Sequence, residues 1–171
     1  MFAVRIDTER FFLRELSVND ATPRYLSWLR DEAASRFITS AADTLALDDL
    51  RNYIAIRAGR DDVLFLGIFD RATAAHVGNI KYEPLDAAAG YTVMGILIGD
   101  PAYRGRGVAA EVLRATARWL AEHRGIRRIE LGVDEANLPA IRAYEKLGFV
   151  RAATPHIPQP APGIATMVWT L

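Results

Sequence analysis

The chain has 171 residues, of which 51% are apolar, and a formal net charge of zero. This length and composition predict a single domain, residues 1–171, with an ample core, and the balanced charge gives no indication of binding to nucleic acid or to an anionic membrane. The absence of cysteine excludes disulfides and thiol nucleophiles, and the three histidines lie too far apart in sequence to predict a metal site.

The amino-terminal segment has no apolar signal core, and no apolar stretch is long enough to cross a bilayer, so we expect a cytoplasmic protein. The first predicted element is a strand over Arg10–Leu16, a run of apolar residues closed by charges. A helix follows, with Ser17 or Asn19 as its expected cap. A second helix is predicted over Leu47–Ala58, where apolar residues recur at helical spacing until Gly59.

Three strands are predicted in the middle of the chain. Val63–Phe69 and His76–Tyr82 are rich in apolar and β-branched residues, and the connection Asp70–Ala74 has the length of a hairpin turn. Tyr91–Gly99 is the next predicted strand. We expect these three strands to be antiparallel neighbours.

The second half of the chain alternates helices with strands. A helix begins near Val108 and ends at Gly125, since apolar residues recur every three or four positions between them. The next predicted strand, Ile129–Val133, is parallel to the strand before that helix. A further helix is predicted from Asn137, a good cap, to Gly148, a good terminator.

The last two predicted strands are Phe149–Ala152 and Ala165–Leu171, and the segment between them contains four prolines and is expected to be a stiff loop. These elements add up to an α/β (α+β) fold with a mixed sheet of about six to seven strands and helices on both faces.

The segment Arg104–Ala109 lies where a strand and turn lead into a helix. The first amides of a helix have no partner within it, and glycines at 105 and 107 leave room for a ligand to approach them. Together with the helix dipole and two arginines, these amides predict a site for phosphate or pyrophosphate.

Two common phosphate-binding patterns fit this segment poorly. A Walker loop is excluded because no Gly-Lys-Ser/Thr sequence follows the glycines. Gly105–Ala110 does fit the dinucleotide pattern G-x-G-x-x-A, with Glu130 about twenty residues further on. However, a five-residue turn separates Gly105 from the strand, and too few residues follow for the remaining strands and helices of a dinucleotide fold.

A third pattern fits better. R-x-x-G-x-A, with Arg104, Gly107 and Ala109 at its fixed positions, resembles the coenzyme A pyrophosphate loop of the GNAT superfamily of N-acetyltransferases. A second block, Asn137–Phe149, resembles the segment that follows the fifth strand in that superfamily. The resemblance implies a GNAT fold in which the parallel fourth and fifth strands splay apart around acetyl-CoA. The cofactor-binding residues that it implies are Ile96, Leu97, Ile98, Arg104, Gly105, Arg106, Gly107, Val108, Ala109, Asn137 and Ala140.

The resemblance also implies direct acetyl transfer to a primary amine, without a covalent enzyme intermediate. Tyr144 matches the tyrosine that protonates the leaving thiolate, although helical periodicity alone favours a packing role for it. Many relatives have a glutamate two residues before the strand glycine, but Val93 occupies that position here. Three acids remain as candidate bases, namely Glu83, Asp134 and Glu130, and each is expected to be a solvated surface residue. Removal of the proton through a chain of water molecules, with no single base, is an equal alternative.

The acceptor is left open between three kinds of amine. The strand over Arg10–Leu16 resembles the branch that includes ribosomal-protein N-terminal acetyltransferases, which implies a protein N-terminus, and a small-molecule amine is the third possibility. His76–Lys81 resembles bacterial members that acetylate nucleotide-linked amino sugars. A non-catalytic module that binds coenzyme A is the alternative function, supported by Val93, and the resemblance allows a homodimer.

Overall fold

A computed structural model describes residues 3–31 and 46–171. The described residues form four α-helices and eight strands. In chain order these are β1 (Arg5–Asp7), β2 (Phe11–Glu15), α1 (Pro23–Arg30), α2 (Leu47–Ala55), β3 (Leu64–Asp70), β4 (His76–Asp86), β5 (Tyr91–Ile98), α3 (Val108–Arg124), β6 (Arg128–Asp134), α4 (Leu138–Leu147), β7 (Val150–Arg151) and β8 (Ile164–Thr170). In residues 3–31 and 46–171, no helix is long and apolar enough to span a bilayer.

All eight strands belong to one sheet, in the order β1-β2-β3-β4-β5-β6-β8-β7. Only β5 and β6 are parallel neighbours, and the other neighbouring strands are antiparallel. The predicted mixed sheet is confirmed, but it has eight strands rather than six or seven. The additional strand is β1, a three-residue edge strand that pairs with β2.

The two faces of the sheet carry different helices. On one face α3 and α4 cover a large apolar cluster that includes Leu66, Ile80 and Leu131. On the opposite face α1 and α2 pack over a smaller cluster, against which Phe65 of β3 and Leu97 of β5 are packed. Because side chains alternate along a strand, neighbouring residues such as Phe65 and Leu66 contribute to opposite clusters.

The boundaries of the first two helices differ from the prediction. Ser17 precedes a short 3-10 turn, Val18–Asp20, and α1 is capped instead by Thr22, whose hydroxyl oxygen accepts the Tyr25 amide. Pro23 at the first helical position explains this start, since proline is preorganised there. Helix α2 ends at Ala55, three residues earlier than predicted, because the chain then tightens into a turn with a bond from the Arg57 amide to the Ile54 carbonyl.

Two strand lengths also differ from the prediction. Strand β4 extends to Asp86, four residues beyond the predicted end, because Pro84 lies in an irregular stretch between Tyr82 and Leu85 where its missing donor costs no ladder bond. Strand β7 has only two residues, Val150 and Arg151.

Candidate active site

A cleft opens where the parallel strands β5 and β6 separate. They are paired only from Tyr91 to Val93 and from Arg128 to Glu130, whereas β6 stays paired with β8 along its whole length. The predicted splay is therefore confirmed. The cleft has a volume of about 380 Å³ and is lined by both strands and by α3 and α4.

The amino-terminal end of α3 lies at this cleft, as predicted. Gly105 and Gly107 have φ values of +70° and +74°, in the left-handed region that favours glycine. Helix α3 begins with the bond from the Glu111 amide to the Gly107 carbonyl. The amides of residues 108, 109 and 110 precede that bond and have no helical acceptor, which suits them to an anion.

The two arginines of the loop have different roles. Arg104 turns back toward β5, where its Nε donates to the Ile98 carbonyl at 3.0 Å and its Nη2 to the Gly99 carbonyl at 3.1 Å. It also pairs with Asp31 at 3.4 Å. The sequence predicted that both arginines bind phosphate. In the structure the Arg104 side chain bonds to the end of β5 and lines the cleft, while Arg106 is exposed.

Tyr144 lies inside the cleft on α4. Only 7% of the residue is exposed, and its ring packs on Phe149 at 5.5 Å between centroids. Its hydroxyl makes no hydrogen bond to any residue in the described ranges. The hydroxyl oxygen is not fully buried, because Tyr144 borders the cleft. Burial raises the pKa of Tyr144 to about 12, so the hydroxyl keeps its proton at neutral pH and can donate it.

Most of the residues predicted to bind the cofactor are brought together. Those that line the cleft are Ile96, Leu97, Ile98, Arg104, Ala109, Asn137 and Ala140. Asn137 also caps α4, because its side-chain oxygen accepts the Ala140 amide at 3.4 Å. Gly105, Arg106 and Gly107 lie exposed beside the cleft. Val108 is only 2% exposed and packs into the core, so it can offer a ligand its amide alone.

The sequence interpretation missed several cleft residues, namely Met94, Gly95, Leu131, Gly132 and Val133. Gly95 is exposed, and a Cβ built on it would meet nothing within 4 Å. The signal that could have found these residues is the predicted splay itself, since separated strands expose their facing edges.

The three candidate bases have three different environments. Glu83 binds Arg57 at 2.8 Å and Lys81 at 3.4 Å; burial works to raise its pKa, but the bond from Arg57 and the nearby cations outweigh it and keep the pKa below its usual range. Asp134 lines the cleft and accepts the Ala136 amide at 2.8 Å. Glu130 is 0% exposed, so the expectation of a solvated acid there was wrong.

Comparison with known proteins identifies the family of this domain. Residues 10–150 match the family model of the acetyltransferase (GNAT) domain. A mycothiol acetyltransferase of Salinispora tropica is 36% identical over 77 residues, which are 44% of this chain and 24% of that protein. The chain thus spans about a quarter of the length of this curated relative.

Solved structures show the likeness of fold. A spermidine N-acetyltransferase from Vibrio cholerae in complex with CoA and spermine has a TM-score of 0.80, with 16% identity, over 94% of this chain and 95% of that one. A ribosomal L7/L12 alpha-N-protein acetyltransferase in complex with coenzyme A has a TM-score of 0.82, with 13% identity, over 98% of both chains. Because the family model also covers most of the sequence, the chain belongs to the GNAT family of acetyltransferase domains.

Proposed function

We propose that this protein transfers the acetyl group of acetyl-CoA directly to a primary amine. The observation that carries the proposal is the continuity between the β5–β6 cleft and the free amides that begin α3, with the Tyr144 hydroxyl in the same cleft. An extended ligand with a pyrophosphate in its middle and a thioester at one end matches this shape and polarity.

The residues of the loop fit the pyrophosphate. The amides of residues 108–110 offer donors, Arg106 offers a charge, and the glycines at 105 and 107 leave the approach open. The pantetheine arm would lie along the edge of β5, which β6 leaves unpaired after Val93.

The direction of the β5 backbone indicates which amide faces the thioester carbonyl. The Gly99 amide donates to Val77 of β4, and the Leu97 carbonyl lies beside Gly78 of β4. Alternate residues point to opposite edges, so Ile96 and Ile98 face the cleft, in agreement with the Ile98 carbonyl accepting from Arg104. The Leu97 backbone faces β4, so we assign the amide that stabilises the developing oxyanion to Ile96.

Tyr144 would supply the proton that the leaving thiolate needs. Its hydroxyl is protonated at neutral pH, lies in the cleft and makes no hydrogen bond to the residues that the structure describes. The acceptor must lose a proton before it attacks, because an alkylammonium has a pKa of about 10.

The class of amine that accepts the acetyl group can be found by screening. The names of the relatives, spermidine and alpha-N-protein acetyltransferases, support testing polyamines and peptides with free N-termini. The resemblance of His76–Lys81 supports adding nucleotide-linked amino sugars.

The test is a turnover assay with acetyl-CoA and each amine, followed by a thiol reagent. The chain contains no cysteine, so every thiol detected is released coenzyme A. We expect thiol release that depends on the amine and an added acetyl mass on the product. Acetyl-CoA binding without turnover on any amine would favour the second candidate, a coenzyme A-binding module, which the apolar Val93 supports.

A further inference from the structure

A fully buried carboxylate lies directly beside the base of the cleft. Glu130 is 0% exposed, and three side chains bond to it: Arg128 Nε at 2.6 Å, Thr154 Oγ1 at 2.9 Å and His156 Nδ1 at 2.9 Å. Burying a charge is costly unless it is paired in this way. Several polar groups thus hold one carboxylate against one imidazole.

The His156 ring is fixed in position and in tautomer. It stacks on Tyr91 with centroids 3.5 Å apart and planes 7° apart. A carboxylate only accepts hydrogen bonds, so the neutral imidazole carries its proton on Nδ1 and leaves a lone pair on Nε2. Nε2 makes no hydrogen bond within residues 3–31 and 46–171, and 30% of the side chain is exposed. The neutral ring thus keeps one nitrogen with a lone pair, on a side chain that is partly exposed.

The position of this pair relative to the cleft follows from the strand register. Glu130 lies opposite Val93, the last paired residue of β5 before the cleft opens. Tyr91, Val93 and Gly95 alternate onto the face that carries α1 and α2, whereas α3, α4 and Tyr144 lie on the other face. The His156 ring stacks on Tyr91, which is four residues or about 13 Å along the strand from the exposed Gly95, and Val93 lies between them, about 7 Å from Gly95.

We propose that His156, oriented by Glu130, accepts through water the proton that the acceptor ammonium must lose. The proposal rests on the proposed function and adds a proton acceptor on one face of the sheet to the proton donor, Tyr144, on the other. Imidazole suits the role because histidine is the side chain that most often takes up a proton in general acid–base catalysis. Glu130 is then a positioning residue, since it acts only through the ring.

The protons and electrons of the step balance. The ammonium gives one proton through water to Nε2, and the freed nitrogen lone pair forms the C–N bond to the acetyl carbon. The C–S bond breaks with its electron pair on sulfur, which takes the Tyr144 proton. The nitrogen then returns its surplus proton to the Tyr144 oxygen, and His156 releases its own to solvent.

The charged groups around the ring are few in the described part of the chain. Arg128 shares the Glu130 carboxylate, and Asp134 lies further along the same strand. On β4, Asp86 lies opposite Tyr91 and accepts the Ala89 amide at 2.8 Å, and further along that strand Lys81 and Glu83 are paired with each other at 3.4 Å. Val93 brings no charge.

The kinetic test compares His156→Gln with a matched control, His123→Gln. His123 is also exposed and also stacked, on Trp119, with Nδ1 bonded to the Trp119 carbonyl of its own helix. In His156→Gln we expect kcat/KM for the amine to fall about 100-fold at neutral pH and to recover toward the wild-type value at alkaline pH, where an amine with a pKa of about 10 loses its proton without help. The control should keep the wild-type profile, and Glu130→Gln should give an intermediate loss. A His156→Gln enzyme with the same fractional loss at every pH would overturn the proposal.

A second readout does not need turnover. Long-range proton–nitrogen NMR of the imidazoles, assigned with His156→Gln, should show Nδ1 protonated and Nε2 unprotonated, and Glu130→Gln should remove that preference. A proton on Nε2 in the wild type would overturn the proposal. If the wild-type protein neither binds acetyl-CoA nor releases thiol, the proposed function fails. The NMR measurement needs neither acetyl-CoA nor turnover, so it distinguishes that failure from a failure of the proposal for His156.

Discussion

Val93 of β5 lies opposite Glu130 of β6, and this pair is the last that the two parallel strands share. Beyond it, β6 remains bonded to β8, while the facing edge of β5 pairs with no strand among residues 3–31 and 46–171. The cleft is thus a consequence of pairing, and the backbone of β5 is available to a ligand within it.

Two glycines of the same segment allow a test of the cleft. Gly95→Ala should leave the free energy of unfolding within about 0.5 kcal/mol of wild type, because its Cβ would meet nothing within 4 Å, but should lower turnover by filling the open space. At Gly99 a Cβ would lie 2.0 Å from Trp28, so Gly99→Ala should destabilise by about 1–3 kcal/mol. Urea unfolding and the thiol assay measure both effects. Full activity in Gly95→Ala would place the chemistry elsewhere.

The phosphate loop can be tested with matched backbone strain. Gly107→Ala and Gly59→Ala each place alanine at a positive φ, +74° and +73°, and each should cost about 1–2 kcal/mol of stability. Only Gly107→Ala should weaken acetyl-CoA binding, because Gly59 lies after α2, on the face opposite α3. Equal affinities of the two variants, measured by calorimetry, would contradict the loop assignment.

The two arginines of the loop should separate stability from affinity. Arg104→Ala removes the donor to the Ile98 and Gly99 carbonyls and should destabilise by about 1–2 kcal/mol. Arg106→Ala should leave stability unchanged and weaken acetyl-CoA binding about fivefold, or about 1 kcal/mol, with the difference shrinking at high salt. An unchanged affinity at low salt would remove Arg106 from the site.

The role of Tyr144 can be tested against a second buried tyrosine. Tyr144→Phe should reduce kcat about 100-fold while acetyl-CoA affinity is retained, since only the proton donor is lost. Tyr82→Phe should keep turnover and cost about 1 kcal/mol, because the Tyr82 hydroxyl bonds to Thr116 inside the core at 2.6 Å. If Tyr144→Phe turned over as fast as wild type, Tyr144 would have only a packing role in α4 and would not be the proton donor.

Local patterns predicted the elements that surround the site. Gly125 and Gly148 end α3 and α4 where expected, both at positive φ, and Asn137 caps α4. These features depend on a few neighbouring residues, so the sequence shows them directly. The short β1 has a single buried residue, Ile6, which is too little periodicity to recognise.

What the sequence could not show depends on contacts between distant residues. Arg104 turns toward β5 because the Ile98 and Gly99 carbonyls need a donor. The sequence alone does not distinguish such an arginine from one whose guanidinium points to solvent. Glu130 is buried because Thr154 and His156, more than twenty residues later, fold over it. An acid in an alternating strand looks solvated until its partners are known.

The most direct measurement is calorimetric titration of the protein with acetyl-CoA, and with NAD as the comparison ligand. We expect one acetyl-CoA bound per chain, an affinity lowered by Gly107→Ala but not by Gly59→Ala, and much weaker binding of NAD. Binding of NAD in preference to acetyl-CoA would show that Gly105–Ala110 serves a dinucleotide, and would contradict the proposal that the protein is an acetyltransferase.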